Sequence, residues 1–200
     1  MRLGVFSGTF DPPHLGHLLL AEEARWQLQL DRVLWVLTPV SPFKTDQEIS
    51  PVEQRLMLLE RAVALDPAFE VSRVEIDRPA PQYTVDTLRL IKEQYLPDAL
   101  IYLIGGDAVA ELPRWYRPQE LVATVDEIGV MRRPADDLDL SRLLEALPEL
   151  SEKIRFVDAP LLEISSTEIR RRIREGKPYR FFLPEQVAEV IEQEGFYHQK

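Results

Sequence analysis

Two histidines three residues apart, His14 and His17, follow a glycine turn in the stretch GTFDPPHLGH. Imidazoles at i and i+3 share one face of a helix that begins beside them. A helix start also presents backbone N–H groups that have no intrahelical acceptor and suit an anion. Gly8 lets the backbone approach a ligand without a Cβ in the way, and Pro12 and Pro13 stiffen the exit toward the helix. The chemistry this combination suits is phosphate binding; a local cap made by one histidine, or a surface metal site made by both, stays open. A second constellation is ISSTEIRRRIREG, residues 164–176. Ser165 and Glu168 make an S-x-x-E capping box, so a helix is expected to start at Ser165, and Gly176 is placed to end it. Ser166, Thr167 and Arg170 then gather hydroxyls, backbone N–H groups and a guanidinium within one turn of the helix's positive end, which again suits phosphate. Arg171 and Arg172 read as a solvated basic face.

These groups need elements to position them. Apolar runs short enough to be buried strands, at 3–6, 33–38, 69–76, 100–104, 128–131 and 154–157, alternate with helix-period stretches at 15–28, 51–64, 84–93, 118–123 and 140–147. Two further helices are expected from Ser165 and Pro184. The alternation predicts an α/β fold, a doubly wound parallel sheet covered on both faces. Ligands of such sheets bind beyond the carboxyl ends of the strands. Polar and glycine-bearing stretches do follow the strands: SGTFDPPH, PVSPFK, GGD, RRP and, shortly after the sixth, EISSTEIR.

The 200 residues, 45% of them hydrophobic, suffice for one substantial core, so a single domain over 1–200 is expected, with a small helical portion at 165–200. A formal net charge of −10 argues against nucleic acid as a partner. Between Arg155 and Arg180, however, seven bases stand against four acids, enough to dock a small polyanion. The absence of cysteine excludes disulfides and thiolate chemistry, and leaves oxygen and imidazole as the only ligands for a metal. No apolar run approaches the ~20 residues needed to span a bilayer, and the beginning MRLGVFSGTF lacks the pattern of a signal peptide. A membrane is therefore not an expected partner, and the cytoplasm is the expected location.

GTFDPPHLGH resembles the G-x-F-x-P-x-H-x-G-H signature of nucleotidyltransferases related to the HIGH motif of class I aminoacyl-tRNA synthetases, and ISSTEIR resembles their C-terminal motif. YTVDTL (83–88), IGGD (104–107), PRWYRPQEL (113–121), VMRRP (130–134) and the ending LPEQVAEVIEQEGFY are similar to one branch, the bacterial nicotinate-nucleotide adenylyltransferases. The resemblance spans nearly the whole chain and implies a Rossmann-like nucleotidyltransferase fold. One departure is visible: Phe43, in PFK, stands where that family usually carries a histidine, while Lys44 is kept.

The implied reaction is transfer of the adenylyl group of ATP to nicotinate mononucleotide, giving nicotinate adenine dinucleotide (deamido-NAD) and pyrophosphate in NAD biosynthesis. The nucleophile would be a phosphate monoester whose second pKa is about 6, already mostly a dianion near neutrality, so no Ser-His-Asp triad is required. Positioning and electrostatics remain to be supplied. On this resemblance His14 and His17 serve the phosphates around the reacting phosphorus, Lys44 neutralises phosphate, and Ser166, Thr167 and Arg170, beside Ser165, meet the β- and γ-phosphates. Backbone groups of Ser7, Gly8, Thr9 and Phe10 complete the cradle, and Gly106 and Asp107 lie at the ATP ribose. Thr84, Trp115, Tyr116 and Arg132 hold the mononucleotide, with Trp115 stacked on the pyridine ring. Mg²⁺ would be held mainly by ATP phosphates and water, with no metal ligand from the chain. Alternatives are a sister adenylyltransferase acting on nicotinamide mononucleotide or phosphopantetheine, and a non-catalytic nucleotide-sensing module; a homo-oligomer stays open.

Overall fold

Six parallel strands in the order β3-β2-β1-β4-β5-β6 form the sheet. The structure, a computed structural model, describes residues 1–40, 49–132, 140–160 and 162–198. The strands are β1 (Arg2–Gly8), β2 (Arg32–Leu37), β3 (Phe69–Ser72), β4 (Ala99–Gly105), β5 (Glu127–Arg132) and β6 (Ile154–Asp158). Between and after them run α1 (Leu15–Gln27), α2 (Val52–Val63), α3 (Thr84–Tyr95), α4 (Gly106–Ala110), α5 (Pro118–Thr124), α6 (Ser141–Ala146), α7 (Leu150–Lys153), α8 (Ser166–Arg174) and α9 (Glu185–Glu194). The chain builds outward from β1 to β3, then crosses back to lay β4 on the other side of β1. The strand order therefore reverses between β1 and β4, where a crevice opens beyond the strand ends.

Alternation along each strand sends side chains to opposite faces, and both faces are apolar. Leu3 and Val5 of β1, Leu34 and Val36 of β2, and Leu100 and Ile104 of β4 join Val85, Leu88 and Ile91 of α3 and Leu121 of α5 in one cluster. Phe6, Val33, Trp35, Leu37, Ile101 and Leu103 point the other way, onto Ala21 and Ala24 of α1 and Leu59 and Val63 of α2. That double coverage explains why the strands read as continuous apolar runs rather than alternating ones. A third cluster seats Ile169 and Ile173 of α8 and Val187, Ala188 and Ile191 of α9 on Leu58 and Ala62 of α2. The C-terminal helices are thereby fixed to the helix that follows β2. No helix among the described residues is long and apolar enough to cross a membrane.

Two sequence expectations are corrected. The third strand ends at Ser72 rather than at residue 76, because residues 74–77 turn away from the sheet edge. Arg172 is not a solvated base: its Nε donates to Glu168 at 2.8 Å, its Nη1 to the Pro178 carbonyl at 2.9 Å, and its guanidinium lies 4.8 Å from the Phe182 ring. It fastens the α8–α9 connection. The base excess between Arg155 and Arg180 is largely answered by acids, since Arg171 pairs with Glu168 and Glu175, Lys177 with Glu175, and Arg180 with Glu185 and Glu192.

Candidate active site

A cavity of about 430 Å³ opens at the carboxyl end of β1, beside Gly105 and Gly106 at the end of β4. Its lining joins the two sequence constellations: Ser7, Gly8, Thr9, Phe10, His14 and His17 from the first, and Ser165, Ser166, Thr167 and Arg170 from the second. Apolar Met131, Leu20 and Ile164 complete part of its wall. The segment containing Phe43 and Lys44, and the side chains of Asp107 and Arg132, lie outside the described residues.

His14 caps α1 and is buried, 6% exposed. Its ring stacks on His17 with centroids 3.7 Å apart. The His14 backbone N–H donates to His17 Nδ1 at 3.2 Å. An imidazole that accepts through Nδ1 carries its neutral-form proton on Nε2, so His17 is set as an Nε2–H donor. Burial lowers the His14 pKa from 6.5 to about 4, and the ring is neutral at pH 7. Gly16 has a local reason: a Cβ there would come within 3.1 Å of the His14 ring. Gly8 has a local reason too: a Cβ there would meet the Phe10 ring at 3.0 Å, and its backbone lines the cavity. Phe10 is buried against Phe6 and Trp35, so only its backbone can serve the cavity.

The low His14 pKa implies a pH effect on stability. The native state resists protonation that the unfolded chain accepts near pH 6.5, so this contribution is complete above pH 6.5 and is lost as pH falls toward 4. Between pH 7 and 5 the loss is about 2 kcal/mol. Denaturant unfolding of wild type and His14→Asn at both pH values is expected to show that much convergence; parallel pH curves would count against it.

α8 begins as expected, with Ser165 Oγ accepting from the Glu168 N–H at 3.2 Å. Glu168 does not return the second bond of a capping box, because its carboxylate is taken by Arg171 and Arg172. Ser166 Oγ donates to the Pro12 carbonyl at 2.8 Å and Arg170 Nη1 to the Asp11 carbonyl at 2.6 Å. The second constellation thus holds the first in shape as well as lining the same cavity. A guanidinium has five N–H donors, so one carbonyl bond does not exhaust Arg170.

Thr84, Trp115 and Tyr116 do not line this cavity; they lie on the opposite face of the sheet. Tyr102 of β4 links the two places. Its hydroxyl hydrogen-bonds Ser7 Oγ at 3.0 Å and also Thr84, and burial pushes its pKa up to about 12. Trp115 meets the Tyr102 ring edge-on at 6.3 Å, and Tyr116 stacks on Tyr83 at 3.9 Å. Thr84 is the first residue of α3, where the backbone N–H has no intrahelical acceptor. Asp11, Arg55, Tyr102 and Tyr197 were not singled out by sequence, yet each supports these groups. The donor set of the cavity is imidazole, hydroxyl, guanidinium and backbone N–H; among the described residues no three His, Asp or Glu side chains group to hold a metal.

The cytidylyltransferase-like family model matches residues 5–172. The probable nicotinate-nucleotide adenylyltransferase of Roseiflexus sp. (strain RS-1) is 44% identical over 98% of this chain and 97% of its own length. The nicotinate-nucleotide adenylyltransferase of Bacillus subtilis (strain 168) is 36% identical over 98% of each. Among solved structures, Plasmodium falciparum nicotinic acid mononucleotide adenylyltransferase complexed with NaAD has a TM-score of 0.78 at 16% identity, covering 98% of this chain and 97% of that one. The last likeness concerns the fold alone.

Proposed function

Since the chain belongs to the nicotinate-nucleotide adenylyltransferase family, we propose that it transfers the adenylyl group of ATP to nicotinate mononucleotide, forming nicotinate adenine dinucleotide and pyrophosphate. The observation that carries this reading is the single cavity where two phosphate-suited constellations, some 150 residues apart in sequence, meet at the β1–β4 switch point. ATP lies in that cavity, its phosphates facing His14, His17, Ser166, Thr167 and Arg170. The mononucleotide approaches from the Thr84–Trp115 side across Ser7 and Tyr102. Its phosphate dianion attacks the α-phosphorus in line while pyrophosphate departs. The protein supplies placement and donors to the growing charge, not a covalent nucleophile. His17 donates through Nε2–H, and Lys44 and Arg170 neutralise phosphate oxygens.

Magnesium is proposed to travel with the triphosphate, held by its oxygens and by water, because the cavity's donors suit anions rather than a cation. When bound it would neutralise part of the phosphate charge. Pyrophosphate release, measured with nicotinate mononucleotide and with phosphopantetheine offered separately, tests the assignment. Release is expected with the mononucleotide only; release with phosphopantetheine instead would favour the sister activity, and none with either a nucleotide sensor.

A further inference from the structure

The loop between β1 and α1 is held by parts of the chain to which the reaction gives no role. Arg55, in the first turn of α2, is 1% exposed. Its Nη1 donates to the carbonyls of Thr9 at 2.9 Å and Thr38 at 2.8 Å, its Nη2 to Pro39 at 2.8 Å, and its Nε to Ser50 at 2.8 Å. A planar fork bonded to four carbonyls fixes their separations in a way that a point charge cannot. Asp11, 3% exposed, grips from the other side: Oδ2 accepts the Ser50 N–H at 3.1 Å and Oδ1 the Tyr197 hydroxyl at 2.9 Å. Ser50 is therefore pinned through its carbonyl by Arg55 and through its N–H by Asp11. Burial and the Asp11 charge both push the Tyr197 hydroxyl above its ordinary range, so it keeps its proton and donates.

Between Thr9 and Asp11 sits Phe10, at φ 44°, in the left-handed region that residues with a Cβ avoid. A loop bent against its own preference keeps its shape only where its neighbours are held, and the neighbours on either side are the ones that Arg55 and Tyr197 secure. We propose that Arg55 and Tyr197 are positioning residues for adenylyl transfer: through Thr9 and Asp11 they set the loop that places His14 and His17 against the triphosphate. Tyr197 thereby makes the C-terminal segment part of a site whose motif lies 186 residues upstream. The inference rests on the phosphate reading of the cavity.

The test compares Tyr197→Phe and Arg55→Lys with Tyr95→Phe. Tyr95 makes the same kind of bond, to Glu70 at 2.7 Å, far from the cavity beside the outer strand β3. Tyr197→Phe is expected to lower kcat about tenfold, as a small misplacement of catalytic groups does, with KM for ATP changed by less than about threefold. Arg55→Lys is expected to cost more. Tyr95→Phe is expected to lose a comparable few degrees of Tm and no turnover. An independent readout is the NMR titration of His14, one of only three histidines. Its ring faces His17, with Asp11 and Arg170 lining the same cavity. A loosened loop admits water, and in Tyr197→Phe the His14 midpoint is expected to rise by about one unit toward its ordinary value, but not in Tyr95→Phe. Unchanged kcat and an unmoved His14 midpoint in Tyr197→Phe would overturn the proposal. Should Arg55→Lys fail to fold, Tyr197→Phe decides. Should wild type release no pyrophosphate, the function reading falls, and the His14 titration still decides this one.

Discussion

Replacing His17 with alanine is expected to lower kcat by about 10²- to 10³-fold, the usual effect of removing one preorganised donor to transition-state charge. His14 is what preorganises it. Because Nδ1 already accepts the His14 N–H at 3.2 Å, the neutral ring has its proton on Nε2 and its orientation is fixed before substrate arrives. Edge-on contact with Phe10, at 5.2 Å, holds the ring further. Preorganisation of this kind is what makes a donor worth more at the transition state than in the ground state, so KM for ATP should move much less than kcat. The lost backbone bond costs roughly 0.5 to 1.5 kcal/mol of stability, a separate and smaller effect. His17→Asn, which keeps a short acceptor at the third helical position, is expected to restore stability but not turnover. Steady-state kinetics and melting curves on both variants separate the two roles. Normal turnover with a lower Tm in His17→Ala would reduce His17 to a helix cap.

Much of this architecture was legible because the physics that builds it is local. Strands buried on both faces leave apolar runs, and Ser165 and Gly176 mark the ends of α8, the first by its accepting hydroxyl and the second by its positive φ. What was missed depends on convergence in space. The short helices α4 and α7, of five and four residues, hold too few turns to show a period. Asp11 and Tyr197 meet across 186 residues, and no window along the chain contains both. Arg55 did leave a trace: it occupies the same stripe as Leu58, Leu59, Ala62 and Val63, the buried face of α2. A charged residue on an apolar stripe must bring its partners with it, and here they are carbonyls, which sequence does not display. Gly8 adds a neighbour that sequence does not display, since a Cβ there would meet the Phe10 ring at 3.0 Å while its backbone lines the cavity.

Nicotinate mononucleotide is expected to be used markedly better than nicotinamide mononucleotide. The two differ only in carboxylate against carboxamide, so discrimination must arise where the ring is held. Thr84 opens α3, a helix of twelve residues, and although the Asp86 and Thr87 N–H groups both bond the Tyr83 carbonyl at 3.1 Å, those of Thr84 and Val85 have no intrahelical acceptor. That end also carries the positive pole of the helix dipole. A carboxylate can only accept hydrogen bonds and brings a negative charge; the amide offers two N–H donors and none. Seated against the same backbone, the amide nitrogen leaves donor facing donor. Each buried polar group so orphaned costs roughly 1 to 3 kcal/mol, and one or two of them give on the order of 10- to 10⁴-fold discrimination in kcat/KM. Trp115 has a different part. Its ring is edge-on to Tyr102 and half-buried, and under the proposed function it would offer the pyridine a surface that does not distinguish acid from amide. Trp115→Ala is therefore expected to raise KM for both nucleotides and leave their ratio nearly intact. Equal kcat/KM for the two substrates in wild type would remove both the deamido assignment and the donor-lined ring site, whereas a ratio that collapses only in Trp115→Ala would move selectivity from the α3 backbone to the tryptophan.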